Sequence, residues 1–158
     1  MSAMQPKIRS FEVGDEAAFR ALNEAWLTRY FRIEPKDTEL LGDPVGQFIR
    51  PGGGVLMLDV AGERVGCCAL IKLGEGTYEI AKMAVAEAHQ RRGYGEMLLR
   101  AMIEHARGLG ARRLLIESSS KLPAALALYR KLGFSDVPED RLPAADFARV
   151  DVFMERVL

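Results

Sequence analysis

The stretch VLMLDVAGERVGCCALIKL, residues 55–73, narrows the fold more than any other part of the chain. It divides at Ala61-Gly62-Glu63 into two apolar runs, and a third run, TYEIAKMAVA, follows a second turn at Gly74-Glu75-Gly76. Apolar runs separated by so few turn residues fold back on each other as hairpins. The pattern then changes. From about Gly93 to Leu109 the apolar residues Leu99, Met102, Ile103 and Ala106 fall on one helical face, and Gly108 and Gly110 stop the helix. RRLLIES reads as a short buried strand. A helix to Leu132 follows, with Ala125, Leu128, Tyr129 and Leu132 on one stripe and Gly133 as terminator, and ARVDVFMERVL reads as the last strand. Ahead of the hairpins, Lys7 to Val13 alternates as a first strand, and Asp15 caps a helix to about Tyr30 with Phe19, Leu22 and Trp26 on one face. The segment between, FRIEPKDTELLGDPVGQFIRPGGG, is expected to be mostly loop, with a short helix after Pro35. Hairpins early and β-α-β units late imply a mixed sheet with helices on its faces, an α/β fold that is not regularly doubly wound.

Length and charge limit the function classes. The 158 residues suggest one domain, residues 1–158. Basic and acidic side chains balance at 22 each, and there is no basic stripe interleaved with aromatics, so neither nucleic acid nor an anionic membrane is an expected partner. No apolar run approaches the roughly 20 residues needed to span a bilayer. The start, MSAMQPKIRSFEV, lacks the apolar stretch of a secretion signal, so the expected location is cytoplasmic. Cys67 and Cys68 are neighbours on a strand and point to opposite faces, which makes buried, reduced thiols the expectation. The two histidines, His89 and His105, have no ligand partners at metal spacing, so no metal is expected.

The most distinctive loop is Gln90-Arg91-Arg92-Gly93-Tyr94-Gly95. It opens straight into the strong amphipathic helix. A helix N-terminus carries unpaired N–H groups and a partial positive charge, glycines let backbone approach a ligand closely, and the arginines add charge. The combination describes a phosphate cradle. It is neither a Walker loop, because Glu96-Met97 follows Gly95, nor a dinucleotide fingerprint, because Leu98 stands where the third glycine belongs. By itself the loop is equally well a tight strand-to-helix turn.

The same loop resembles the Q/R-x-x-G-x-G/A signature of the GNAT acetyltransferase superfamily. AALALYRKLGF, residues 124–134, resembles that superfamily's second motif, A-x-x-L-Y-x-x-x-G-F. The two stand in order at the usual separation, and the early β-α-loop-β-β order is also similar. The resemblance implies a central mixed, mostly antiparallel sheet flanked by helices, with the acyl-coenzyme A at a strand splay. It implies acetyl-coenzyme A as co-substrate, with the backbone of Met83, Ala84 and Val85 along the pantetheine arm. The amides of Gln90, Arg91, Arg92, Gly93, Tyr94 and Gly95 would lie on the diphosphate. Where many relatives carry asparagine this chain has Leu122, after Ser118-Ser119-Ser120-Lys121, which leaves the local coenzyme contacts open.

Acetyl transfer to an amine needs the amine neutral, although free alkylamines have pKa values of about 10. It also needs a donor for the oxyanion and an acid for the departing thiolate. Glu79 is the candidate base: it sits on an apolar strand, on the face shared with Ala81, Met83 and Val85, and a buried carboxylate has a raised pKa. Its place six residues before the strand end also resembles the glutamate base of histone-type GNAT enzymes. A salt bridge or an edge-facing position is the plainer alternative. Tyr129 matches the motif tyrosine near the coenzyme sulfur and is the candidate acid, although its stripe also suits a core aromatic. The resemblance points to a strand N–H near Val85 as oxyanion donor.

For the acceptor, TRYFRIEPKDTELL offers Tyr30, Phe31 and Glu34, aromatics and an acid suited to a cationic amine, with Asp37 and Glu39 nearby. Glu34 and Asp37 equally suit capping of the helix after Pro35. Many relatives are dimers, so the same loop is also a candidate contact for a second subunit. A small-molecule amine is the expected acceptor. A protein lysine or N-terminus is the alternative, and a non-catalytic coenzyme A-binding module is the alternative of another class.

Overall fold

The computed structural model describes residues 5–158. Its elements run β1 (Pro6–Ser10), α1 (Glu16–Tyr30), α2 (Pro35–Gly42), β2 (Gly54–Val60), β3 (Glu63–Gly74), β4 (Thr77–Val85), α3 (Tyr94–Gly108), β5 (Arg113–Ser118), α4 (Pro123–Lys131), β6 (Ser135–Asp136) and β7 (Val152–Val157). The seven strands form one sheet in the order β1-β2-β3-β4-β5-β7-β6. Every pairing is antiparallel except β4 with β5. The β2–β3 hairpin turns at Ala61 and Gly62, both with positive φ (52° and 81°), the tight turn whose twist matches the flanking strands.

Each sheet face has its own core. On one side Leu98, Leu99, Met102, Ile103 and Ala106 of α3, with Leu126 of α4, cover Leu56, Cys68, Tyr78, Ile80, Leu114 and Ile116. On the other, Phe19 and Leu27 of α1, Leu41 of α2 and Phe48 cover Val55, Met57, Cys67, Ala69 and Ala84. Cys67 and Cys68 are therefore buried on opposite faces as free thiols, and burial pushes the Cys67 thiol up to about 12.

Several elements differ from the sequence expectation. The stretch from Phe31 to Gly54 is mostly helical: α2 is followed by a π-helical turn, Val45–Ile49. α2 is the short helix expected after Pro35, which stands in its first turn, where a missing N–H leaves no intrahelical bond unmade; the helical turn beyond it was not expected. Asp15 stands at the N-cap of α1, but its carboxylate caps no helical N–H. It accepts instead from the Glu12 N–H at 2.8 Å, from Arg9 at 2.7 Å and from Arg64. The first strand stops at Ser10 and the last begins only at Val152, leaving 148–151 as part of a loop.

The most consequential difference lies in β4. Ala81 pairs with Ala69 and Ala84 with Cys67, so Lys82 and Met83 together face the single residue Cys68. This is a β-bulge, and Lys82 has φ +53°. The extra residue reverses the alternation beyond it. Ala81 stays on the Glu79 side, but Met83 and Val85 pack with the α3 core, so Glu79 does not share a face with them.

Candidate active site

The β4–β5 pairing lasts only three residues, Thr77, Tyr78 and Glu79 against Arg113, Leu114 and Leu115. β5 remains paired with β7 along its whole length, while β4 follows β3 and bends at its bulge. The two parallel strands therefore part just beyond Glu79. Their facing edges, residues 80–85 of β4 and 116–118 of β5, make no ladder with each other.

A cavity of about 390 Å³ fills this parting and reaches both sides of the sheet. Toward α1 and α2 it is lined by Trp26, Phe31, Lys36, Ile71 and Glu79. Toward α3 and α4 it is lined by Leu99, Leu122 and Tyr129, and between them by Met83, Glu117, Ser118 and Ser119. The loop ahead of β7 adds Asp146, Phe147, Arg149 and Val150 to the lining on the α1–α2 side. Two substrates can thus meet from opposite faces of one sheet.

The electrostatics of the cavity are uneven. Glu79 is pushed up from 4.5 to about 8, first by burial and then by the like charges of Glu117 and Asp146, with Lys82 and Lys36 opposing. Glu117 is also raised, first by burial and then by Asp146. Among the described residues neither carboxylate makes a hydrogen bond or salt bridge within the protein. Asp37, fully buried, is the opposite case. Burial raises it, but hydrogen bonds from Arg149 at 2.6 and 2.8 Å and Lys82 at 2.7 Å outweigh that and hold it at about 2. Burial lowers the Lys82 ammonium despite this partner. Lys36 pairs with Asp146 at 3.0 Å. The Phe147 ring lies under Arg149, Lys82 and Lys36, at 4.2, 4.7 and 5.9 Å. Tyr129 is partly buried in the cavity, and burial pushes its phenol up to about 12, against a smaller lowering by the Ser118 hydroxyl.

The Gln90–Gly95 loop lies beyond this cavity, at the end of β4. Gly93 has φ +80° and stands at the N-cap of α3, and a side chain there would meet nothing within 4 Å. The first helical bond runs from the Met97 N–H to the Gly93 carbonyl at 3.1 Å, leaving the N–H groups of the first turn without intrahelical partners. Arg91 and Arg92 are exposed. The Gln90 side chain donates to the Val85 carbonyl at 3.0 Å, while the Ala86 N–H goes to Val65 of β3 at 2.8 Å. Because successive strand residues present their backbone groups to opposite edges, those of Val85 face away from β3, toward the parting.

Of the side chains expected from the sequence, Glu79, Tyr129, Met83 and Phe31 come together in the cavity; Ala84 and Val85 lie beyond its lining. Tyr30 does not belong to it. It is 40% exposed at the end of α1, against Trp26 and under Arg29. Glu34 is engaged elsewhere, in a reciprocal capping box with Asp37, and it accepts from the Ala148 N–H at 3.2 Å and from Arg149 at 3.3 Å. Its capping alternative is the one realised, so it is not a free anion for an acceptor. Ser118 and Ser119 line the cavity beside Leu122, whereas Ser120 is bonded to Asp151. Residues the sequence reading did not single out are Lys82, Glu117 and the Asp146–Val150 loop. Lys82 and Glu117 carried a signal, since each is a charge inside a largely apolar strand. Among the described residues no group of three or more His, Cys, Asp or Glu is arranged to hold a metal, and no helix is long and apolar enough to cross a membrane.

Comparison with known proteins agrees with this geometry. A family model described as the acetyltransferase (GNAT) family matches residues 16–134. The N-alpha-acetyltransferase RimI of Mycobacterium tuberculosis is 39% identical over 79 residues, which are 48% of this chain and 48% of that protein. The chain spans about half the length, or less, of the curated relatives it matches. Among solved structures, an acetyltransferase of the GNAT family from Staphylococcus aureus superposes with a TM-score of 0.86 over 97% of this chain and 99% of the other. At 17% identity this is a likeness of fold. The N-acetylglutamate synthase of Neisseria gonorrhoeae, solved with coenzyme A and L-arginine, is 29% identical with a TM-score of 0.71, over 97% of this chain and 33% of that one.

Proposed function

Since the chain belongs to the acetyltransferase (GNAT) family, we propose that it moves an acetyl group from acetyl-coenzyme A to a primary amine on a small molecule by direct attack. The observation that carries this reading is the cavity that passes through the sheet where β4 and β5 part, with Glu79 toward one face and Tyr129 toward the other. The free edge of β4 at Met83–Val85 suits the amides of the pantetheine arm. The unpaired N–H groups at Gln90–Gly95 suit the diphosphate, with Arg91 and Arg92 adding charge. A solved relative holds coenzyme A, which supports the same donor here.

In the reaction the neutral amine nitrogen attacks the thioester carbonyl. The C–N bond forms as the carbonyl π pair moves onto oxygen, for which the Val85 N–H, facing the parting, is the strand donor we assign. Collapse breaks the C–S bond. The sulfur takes the Tyr129 proton, and the surplus proton on nitrogen goes to the Glu79 carboxylate. Return of that proton from Glu79 to the Tyr129 phenolate restores both groups, so amine and thioester become amide and thiol. A carboxyl titrating at about 8 is matched to this exchange better than one at 4.5. The wall that the Asp146–Val150 loop adds on the α1–α2 side supports a small acceptor over a polypeptide, which needs an open groove.

Calorimetric titration with acetyl-coenzyme A tests the donor. Binding that requires the pantetheine arm, exceeds that of an adenosine nucleotide and weakens in Arg92→Glu is expected. No binding by folded protein would overturn the reading.

A further inference from the structure

The charges in the cavity are not left open evenly. Each of its three cations already has a carboxylate partner: Lys82 with Asp37 at 2.7 Å, Arg149 with Asp37 at 2.6 Å and Glu34 at 3.3 Å, and Lys36 with Asp146 at 3.0 Å. Glu79 and Glu117 line the same cavity with no such partner among the described residues. An acceptor bearing a carboxylate therefore meets cations that are already neutralised. An acceptor bearing ammonium groups meets two carboxyl groups without a cation partner, which its positive charge would hold ionised.

The strand register fixes how these two sit. Glu79 pairs with Leu115, and Glu117 is two residues further along β5. Leu114 and Ile116 pack into the α3 core, so Leu115 and Glu117 face the other way, on the side of Glu79. The strands part just beyond Glu79, so the two side chains stand across the opening, near enough for Glu117 to act on the Glu79 carboxyl through space. Two like charges so placed repel, and one ligand with two positive ends relieves both. The walls beside them, Trp26, Phe31, Ile71 and Leu73, are apolar and suit an alkyl spacer.

Resting on the acetyltransferase reading, we propose that the acceptor is a diamine, with the reacting nitrogen at Glu79 and the second, charged nitrogen seated on Glu117. Acetylation consumes one of the two cationic ends and leaves a product with a single charge, which binds this pair of carboxylates less well than the substrate does.

The test compares diaminopentane, pentylamine and aminopentanoate as acceptors for the full chain. The diamine should exceed pentylamine about tenfold in kcat/KM, and aminopentanoate should fall below pentylamine. Glu117→Gln should bring the diamine-to-pentylamine ratio to about one, through KM, and Glu117→Asp should restore part of the preference. Equal use of diamine and monoamine, or preference for aminopentanoate, overturns the proposal. Titration of diaminopentane into the protein without acetyl-coenzyme A separates this from the transferase reading. Diamine binding that Glu117→Gln weakens about tenfold supports the seat even where no amine is acetylated. Diamine binding no tighter than that of pentylamine overturns it.

Discussion

Glu79→Gln should raise stability while removing activity, and the size of the gain should depend on pH. The carboxyl titrates at about 8 in the folded protein against an ordinary 4.5, with burial the first cause. The folded state therefore holds this proton more tightly than the unfolded chain does. The corresponding stability is fully present below about pH 4.5 and is lost as pH rises to about 8. Taken at face value, the difference is a ceiling of about 5 kcal/mol. Glu79 lines a cavity that water enters, and Lys82 and Lys36 lie near enough to respond, so about 1–2 kcal/mol is the expected loss. Glutamine keeps the shape and has no charge to bury. Urea unfolding of both proteins at pH 5, 7 and 9 should give a difference near zero at the lowest pH that grows in favour of the variant and levels off above about 8. At pH 9 this corresponds to a Tm gain of about 2–8 °C. Turnover should fall about 10²-fold in the same variant. A stability difference that is flat across this range would refute the raised titration and with it the electrostatic case for Glu79 as base.

Tyr129→Phe should lower kcat about tenfold or more and leave acetyl-coenzyme A affinity within about twofold; an unchanged kcat would leave Tyr129 as a core aromatic. Gly93→Ala places a Cβ on a residue at φ +80°, a strain of about 1–2 kcal/mol, and should lower both Tm and acetyl-coenzyme A affinity. Unaltered values for both would mean that the loop conformation is not held as described. Asp37→Asn removes a fully buried carboxylate from Lys82 and Arg149 and should destabilise the protein by about 3–5 kcal/mol in chemical unfolding at neutral pH. Because Asp37 is held at about 2 against an ordinary 3.8, its contribution is present above about pH 3.8 and lost as pH falls through about 2. Acid unfolding of the parent should therefore steepen in that window, and a variant as stable as the parent at both pH values would contradict the network.

Much of this arrangement is legible along the chain because it rests on local rules. The hairpin turn at Ala61-Gly62, the glycine at the start of α3 and the apolar spacing of α3 are all properties of neighbouring residues. Glu79 was visible as a charge on an apolar strand, and Tyr129 through its motif. What escaped depends on contacts between distant segments or on one backbone angle. Nothing in AKMAV announces that Lys82 takes a positive φ, yet that single residue sends Met83 and Val85 to the face opposite Glu79. Asp37 meets Lys82 and Arg149, partners 45 and 112 residues away, which no periodicity connects. For Glu34 the sequence leaves acceptor contact and helix capping equally open, because its bond to the Ala148 N–H spans 114 residues. The short helix after Pro35 is legible, but the π-helical turn Val45–Ile49 lies among prolines and glycines that elsewhere mark loops.

The central claim is direct transfer of acetyl from coenzyme A to an amine in the cavity between β4 and β5. Its most direct test is to mix the protein with acetyl-coenzyme A and diaminopentane, and to follow thiol release alongside the mass of the amine and of the protein. Thiol and N-acetylated amine appearing in equal amounts, only when amine is present and with no acetylated protein intermediate, is the predicted result. Acetyl-coenzyme A that binds but yields no amine-dependent thiol with this or any other amine would contradict it and leave a coenzyme-binding module.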